Sequence, residues 1–214
     1  MSDTLLPISL LSLYVSGLAL AIATAIGVPM GARLALRPVP GQRFIVLVIY
    51  TGMGLPPVVV GLLVYLLLSR SGPLGGLGWL FTPAAMVAAQ VVIALPLVTG
   101  LTLAAVGRVD PALRAQARAL GATSAQVMWT VLREARSGVG VAIAAAFGGI
   151  ISEVGAVMLV GGNIEGSTRV LTTAIVLETR KGDFELALAL GAVLVGLTFF
   201  SNFLLLGLQG RESR

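Results

Sequence analysis

"DPALRAQARALGATSAQVMWTVLREARSG", residues 110–138, decides how this chain is to be read. It carries Arg114, Arg118, Arg133 and Arg136 in helix-forming sequence, and nearly everything on either side is apolar. Asp110-Pro111 is a helix start: the carboxylate can cap exposed backbone N–H groups, and proline fits the first helical position, where no N–H is needed. Leu113, Ala117 and Leu120 then recur at helical spacing with Arg114 and Arg118 beside them. Gly121 stands where a helix C-cap belongs, Ser124 can cap a second helix, and Val127, Met128, Val131 and Leu132 give that helix an apolar side. The pattern predicts two short amphipathic helices at an angle, joined at a glycine, forming a rigid knob at a membrane face.

The rest of the chain explains why such a knob is polar by contrast. Of 214 residues, 57% are hydrophobic and 11% charged, with a mean hydropathy of +1.01. A soluble domain carries roughly 25% charged residues, so the composition is that of a membrane protein. The net charge of +5 does not point to nucleic acid, because the arginines are scattered between apolar runs and no aromatic stripe interleaves them. Cysteine and histidine are both absent, which removes disulfides, thiol chemistry, most zinc sites and the usual proton carrier near neutral pH.

A bilayer core about 30 Å thick needs around 20 helical residues. Runs of that length fall at 8–36, 44–68, 83–106, 139–161 and 184–208, which predicts an all-α protein of five transmembrane spans. Residues 1–7 carry Asp3 and neither Lys nor Arg, unlike a secretory signal, so the first run reads as a retained helix. The apolar patch 170–177, between Arg169 and Glu178, is too short to cross and reads as a short helix on or just inside the membrane face. No internal repeat or polar linker divides the chain, so residues 1–214 are expected to form one permeation domain, with a cytoplasmic loop at 107–138 and an outer loop with its short helix at 162–183.

Orientation follows from positive charge, which short cytoplasmic loops retain. One side collects Arg33, Arg37, Arg43, Arg108, Arg114, Arg118, Arg133, Arg136, Arg211 and Arg214; the other holds Arg70, Arg169, Arg180 and Lys181. The N-terminus is therefore expected outside, with the 107–138 loop and the C-terminus in the cytoplasm. Five spans make a small bundle for a solute pathway, and two copies around one pathway are expected.

A basic loop that merely fixes topology would carry the same charges. The segment "LRAQARALGATSAQVMWTVLREAR", 113–136, resembles the EAA loop of ABC importer permeases. Ala117, Leu120, Gly121 and Ala122 fit that pattern, whereas Ala115 and Gln116 stand where Glu and the first Ala are usual, and Arg133-Glu134 replaces a Leu-Pro. In order along the chain, "GLPPVVVGLLVYLLLSRSGPLG" (54–75), "VVIALPLVTGL" (91–101) and "ISEVGAVMLVGGNIEGSTRVLTTAIVLETRKGDFELALALG" (151–191) are similar to permease subunits of molybdate- and tungstate-type importers. The run at 153–175 is most like the tungstate-specific ones. The resemblance implies a pair of identical chains in the cytoplasmic membrane, a cytoplasmic ABC ATPase dimer gripping Arg114, Ala117, Arg118, Leu120, Gly121, Ala122, Arg133 and Glu134, and an extracytoplasmic oxyanion-binding protein. It implies no cofactor in this chain, with ATP and Mg held by the partner. Independently, the only lysine is Lys181, so the chain cannot contain a G-x-x-x-x-G-K-[ST] phosphate loop.

Within the membrane, Glu153 is an isolated carboxylate in the run "GGIISEVGAVM". Intramembrane ionisable residues are costly and mark functional sites by default, but a bare carboxylate repels a divalent oxyanion. Gln90 falls at similar depth, so Glu153 is expected to hydrogen-bond across helices to Gln90 or a nearby hydroxyl and brace a gate; a direct part in permeation is the alternative. Pro56, Pro57 and Pro96 interrupt the second and third runs and are read as kinks, serving either movement or packing. Gly148, Gly149, Gly155, Gly161 and Gly162 are expected to let helices approach closely. Outside, "GGNIEGSTRV" offers Ser167, Thr168 and Arg169 as oxyanion donors, against which Glu165 counts, and Arg169 could equally hold the binding protein or end the span. Molybdate and sulfate share the tetrahedral dianion chemistry of tungstate. A self-contained channel or secondary transporter would place polar groups on several spans, and an enzyme would need a clustered acid, base or metal set; neither pattern is present in the sequence.

Overall fold

Uninterrupted apolar sequence becomes long helix. In a computed structural model, which describes the backbone of residues 2–210 and the side chains of residues 5–203, the first such run is α1 (Ser2–Leu36). Arg211 and Arg214, counted above on the cytoplasmic side, lie outside the described residues. The other elements are α2 (Gln42–Met53), α3 (Pro57–Leu68), α4 (Pro83–Gly107), α5 (Pro111–Ala119), α6 (Ser124–Glu134), α7 (Arg136–Ile151), α8 (Gly155–Gly161), α9 (Leu171–Lys181) and α10 (Phe184–Gly210), with a single 3-10 turn at Gly75–Leu77. α1, α4 and α10 are each long and apolar enough to cross a membrane alone. α4 is the centre of the bundle, touching α1, α2, α3, α7 and α8. Half of its most apolar window is buried, against 11% for α10, which keeps a broad apolar face exposed.

The second expected span, 44–68, is not one kinked helix. α2 and α3 meet at a 104° bend. Gly54 caps α2, Pro56 is extended (φ −60°, ψ 123°), and Pro57 opens α3. Proline lacks an N–H and biases the residue before it away from helix, so consecutive prolines stop one helix and start another. Pro96, by contrast, stays inside an unbroken α4. Its ring is the surface on which α2 packs: a Cβ on Gly52 would come within 2.9 Å of Pro96 Cγ.

The fourth expected span, 139–161, is also broken. α7 ends at Ile151 and α8 begins at Gly155. The Ser152 hydroxyl donates back to Gly148 O (2.7 Å) and Gly149 O (3.2 Å), and Glu153 Oε1 accepts from the Ala156 N–H (2.9 Å). Side chains that bond to nearby backbone compete with the helical ladder, and a hydropathy average does not register the competition. α7 also follows α6 through a 73° bend, so up to five crossings result only if each bent pair counts as one.

α9 packs its first turns into the protein. Leu171, Thr172, Thr173 and Ala174 in its first turns are buried, the Leu171 N–H donates to Ser12 Oγ of α1 (2.8 Å), and Thr172 Oγ1 donates to Glu153 O (2.9 Å). The segment 162–170 thus dips back to the α7–α8 break before α9 leads into α10, and Leu171, Ala174 and Leu190 make a small core between α9 and α10. The main core is built by α1, α3, α4, α7 and α8. α3 sits close on α8: a Cβ on Gly61 would lie 2.5 Å from Ala156 Cα. Gly155 meets Val58 and Gly161 meets Met86 in the same way, but Gly148 has open space around it, Gly149 only touches Leu97 at 4.0 Å, and Gly162 serves a left-handed turn (φ 73°). The expected close-approach role therefore falls to Gly155 and Gly161.

Candidate coupling surface and membrane break

The knob has the expected two helices, with one cap reassigned. Asp110 Oδ1 accepts from the Ala112 N–H (2.8 Å) and Pro111 follows at the first helical position. α5 closes as the Ala122 N–H donates to Ala117 O (3.0 Å) around Gly121, whose φ of 83° is left-handed backbone that favours glycine. The second helix is capped by Thr123, not Ser124. Thr123 Oγ1 accepts from the Gln126 N–H (3.4 Å) while Gln126 Oε1 accepts from the Thr123 N–H (2.7 Å), a reciprocal pair whose T-x-x-Q spacing is readable in the sequence.

The footing of the knob is apolar. Val127 and Val131 are buried with Ala32 of α1, Val106 of α4 and Val109 just beyond it, and Leu113, Ala117, Ala122, Met128 and Leu132 pack around them. Ala115, where Glu is usual, is exposed and takes no part in this footing. The Arg133 guanidinium lies over the Trp129 ring at 6.0 Å, and Glu134 lines a cavity of about 670 Å³ with Arg108 and Asp110. Arg114 is half-buried, with its Nε unbonded among the described residues, whereas Arg118 is exposed. Leu120 turns outward at the tip, 88% exposed, and Trp129 is 61% exposed. The sequence pattern placed Leu120 on the packed side; the left-handed turn at Gly121 ends the helical register there, and Leu120 projects instead.

At the break, Gln90 and Glu153 do not bond to each other. Gln90, 3% exposed, donates through Nε2 to Ile150 O (2.9 Å), the carbonyl that also accepts the Glu153 N–H (3.3 Å) as α7 ends. Glu153 turns its carboxylate to the first turn of α8. Both brace the same discontinuity from opposite sides, with Thr172 and Ser12 joining it to α9 and α1. Those two hydroxyls carried no sequence signal, since serine and threonine are common in membrane helices and their partners are distant in the chain.

In the loop after α8, Thr168 is not available as an anion donor. It is fully buried, its hydroxyl donating to Gly161 O (2.6 Å) and accepting from the Ile164 N–H (2.9 Å). Arg169 pairs with Glu165 (3.3 Å) and, with Ser167, Tyr14 and Leu11, lines a cavity of about 520 Å³. Phe81, at a left-handed φ of 62°, donates its N–H to Val160 O (2.9 Å) and lays its ring edge-on to Tyr65, which ties the top of α8 to the loop before α4. No group of three or more His, Cys, Asp or Glu side chains that could hold a metal occurs among the described residues.

Similarity to known proteins agrees with this architecture. The probable anion ABC transporter permease protein of Haloferax volcanii is 48% identical over 205 residues, covering 94% of this chain and 88% of that protein. The tungstate uptake system permease protein of Peptoclostridium acidaminophilum is 40% identical over 199 residues, covering 93% of this chain and 87% of its own length. A crystal structure of an amino acid ABC transporter with histidines matches with a TM-score of 0.71 at 20% identity, over 98% of this chain and 94% of that one, a likeness of fold. The binding-protein-dependent transport system inner membrane component family matches residues 23–213. The chain belongs to that family, and is a multi-pass permease subunit of an ABC importer.

Proposed function

We propose that this permease imports tungstate, as a pair of identical chains fed by an extracytoplasmic oxyanion-binding protein and driven by a cytoplasmic ABC ATPase dimer that holds the ATP and Mg. The observation that carries the substrate is the 40% identity to a tungstate permease along nearly the whole chain. The ATPase docks on α5–α6, where a doubly capped, apolar-footed knob projects Leu120 and Trp129 into solvent; Arg114, Arg118 and Arg133 frame that surface. Exposed large apolar side chains on a rigid polar element suit a protein partner. The N-terminus lies outside and the C-terminus inside, in keeping with the charge asymmetry.

In this reading the break at Ser152–Val154, held by Gln90 and Glu153, is the gate, and Pro56-Pro57 sets the second bend beside it. Neither is a tight site, because a cargo bound strongly in transit would not leave. The test is reconstitution in liposomes with the cognate ATPase and binding protein. Tungstate is expected to stimulate ATP hydrolysis and accumulate inside, with molybdate and sulfate weaker; stimulation by molybdate or sulfate at equal or greater strength overturns the tungstate assignment.

A further inference from the structure

Where α1 leaves the membrane, its last turn faces the start of α6 across a cavity of about 380 Å³. Arg33, Arg37 and Arg118 all line it, as do Ser124 and Ala125, the first two residues of α6. No acidic side chain contributes to the lining, and among the described residues none of the three arginines forms an ion pair. Arg33 and Arg37 are four residues apart on one face, a spacing at which like charges repel. The N–H groups of Ser124 and Ala125, like those of any first helical turn, have no intrahelical partner, and the Thr123 hydroxyl takes only that of Gln126. Pro29, Leu36, Val127 and Met128 complete the wall with apolar surface.

We propose that this cavity binds the phosphate group of an anionic phospholipid. Guanidinium forks and free N–H groups suit a phosphate monoester or diester, and the apolar side chains suit the glycerol and upper acyl chain rather than a free ion. The position agrees: the end of a membrane span is where headgroups lie, and basic pockets there are natural lipid sites. The bound lipid bridges α1 to the knob and screens Arg33 from Arg37. The proposal rests on the cytoplasmic placement of α5–α6 given above, which assigns the lipid to the inner leaflet.

The test is native mass spectrometry of the full chain, alone and with its ATPase, released from bilayers of phosphatidylglycerol and phosphatidylcholine. R33Q/R37Q is expected to lower phosphatidylglycerol retention about tenfold or more, whereas R43Q/R108Q, which removes the same charge from the same face, changes it by less than about twofold. Ser124→Glu supplies a reading that does not depend on removing arginines. An acidic residue in the first turn favours α6, so the helix stays formed while the carboxylate repels the headgroup and retention falls. Equal loss in the two double variants, or full retention in Ser124→Glu, overturns the site. Displacement of the lipid by millimolar inorganic phosphate overturns the lipid in favour of a free anion, and loss of the lipid on adding ATPase overturns it in favour of a protein interface. Orientation fails separately: phosphatase fusions with reversed activity would move the lipid to the other leaflet while leaving the difference between the two double variants intact.

Discussion

Glu153 would be a liability if it were a bare charge in the membrane; as a cap on α8 it has a backbone N–H to accept from. Glutamine retains a side-chain oxygen that can do the same, whereas leucine cannot. Glu153→Gln is therefore expected to leave thermal unfolding in detergent within about 0.5 kcal/mol of the parent, and Glu153→Leu to lose about 0.5–2 kcal/mol, the usual worth of a helix cap. Unchanged stability in the leucine variant would remove the bracing role. What was legible here was the residue and its depth, because an isolated carboxylate in an apolar run is conspicuous. Its partner was not: Gln90 lies at matching depth but bonds to Ile150 O, where α7 ends, and that ending is invisible to hydropathy. Thr168 was misread for a related reason, as a hydroxyl beside a mouth can equally close its own loop.

Among elements, the contact between α3 and α8 gives a test of packing. Gly61 leaves no room for a side chain against the Ala156 backbone, so Gly61→Leu is expected to cost about 1–3 kcal/mol and to reduce the yield of monodisperse protein in size-exclusion chromatography. Gly148→Ala, at a position with open space, should behave as the parent. The knob shows how far element-level reading extends. Its helices, its glycine and its Asp110 start follow from local rules of capping and periodicity, and those rules operate within a few residues. The bends at Pro56-Pro57 and Ser152–Val154 do not, because an apolar run of the right length looks the same whether it crosses straight or turns through 104°. The burial of α9 against Ser12 lies further out of reach, resting on a contact 159 residues apart in sequence.

For the whole molecule, topology follows from arginine placement, and it has a direct readout. An alkaline phosphatase domain fused near Gly72 is expected to be active and one near Thr123 silent, since the enzyme matures only outside the cytoplasm; the reverse pattern overturns the orientation. The central claim is that this permease takes its energy from a partner seated on α5–α6. The chain contains no cysteine, so one introduced thiol is a unique reporter. Leu120→Cys, at the 88% exposed tip, should cross-link to the cognate ATPase in membranes, while Val195→Cys on the apolar helix α10, 69% exposed, should not. Cross-linking through Val195→Cys with none through Leu120→Cys would contradict the account.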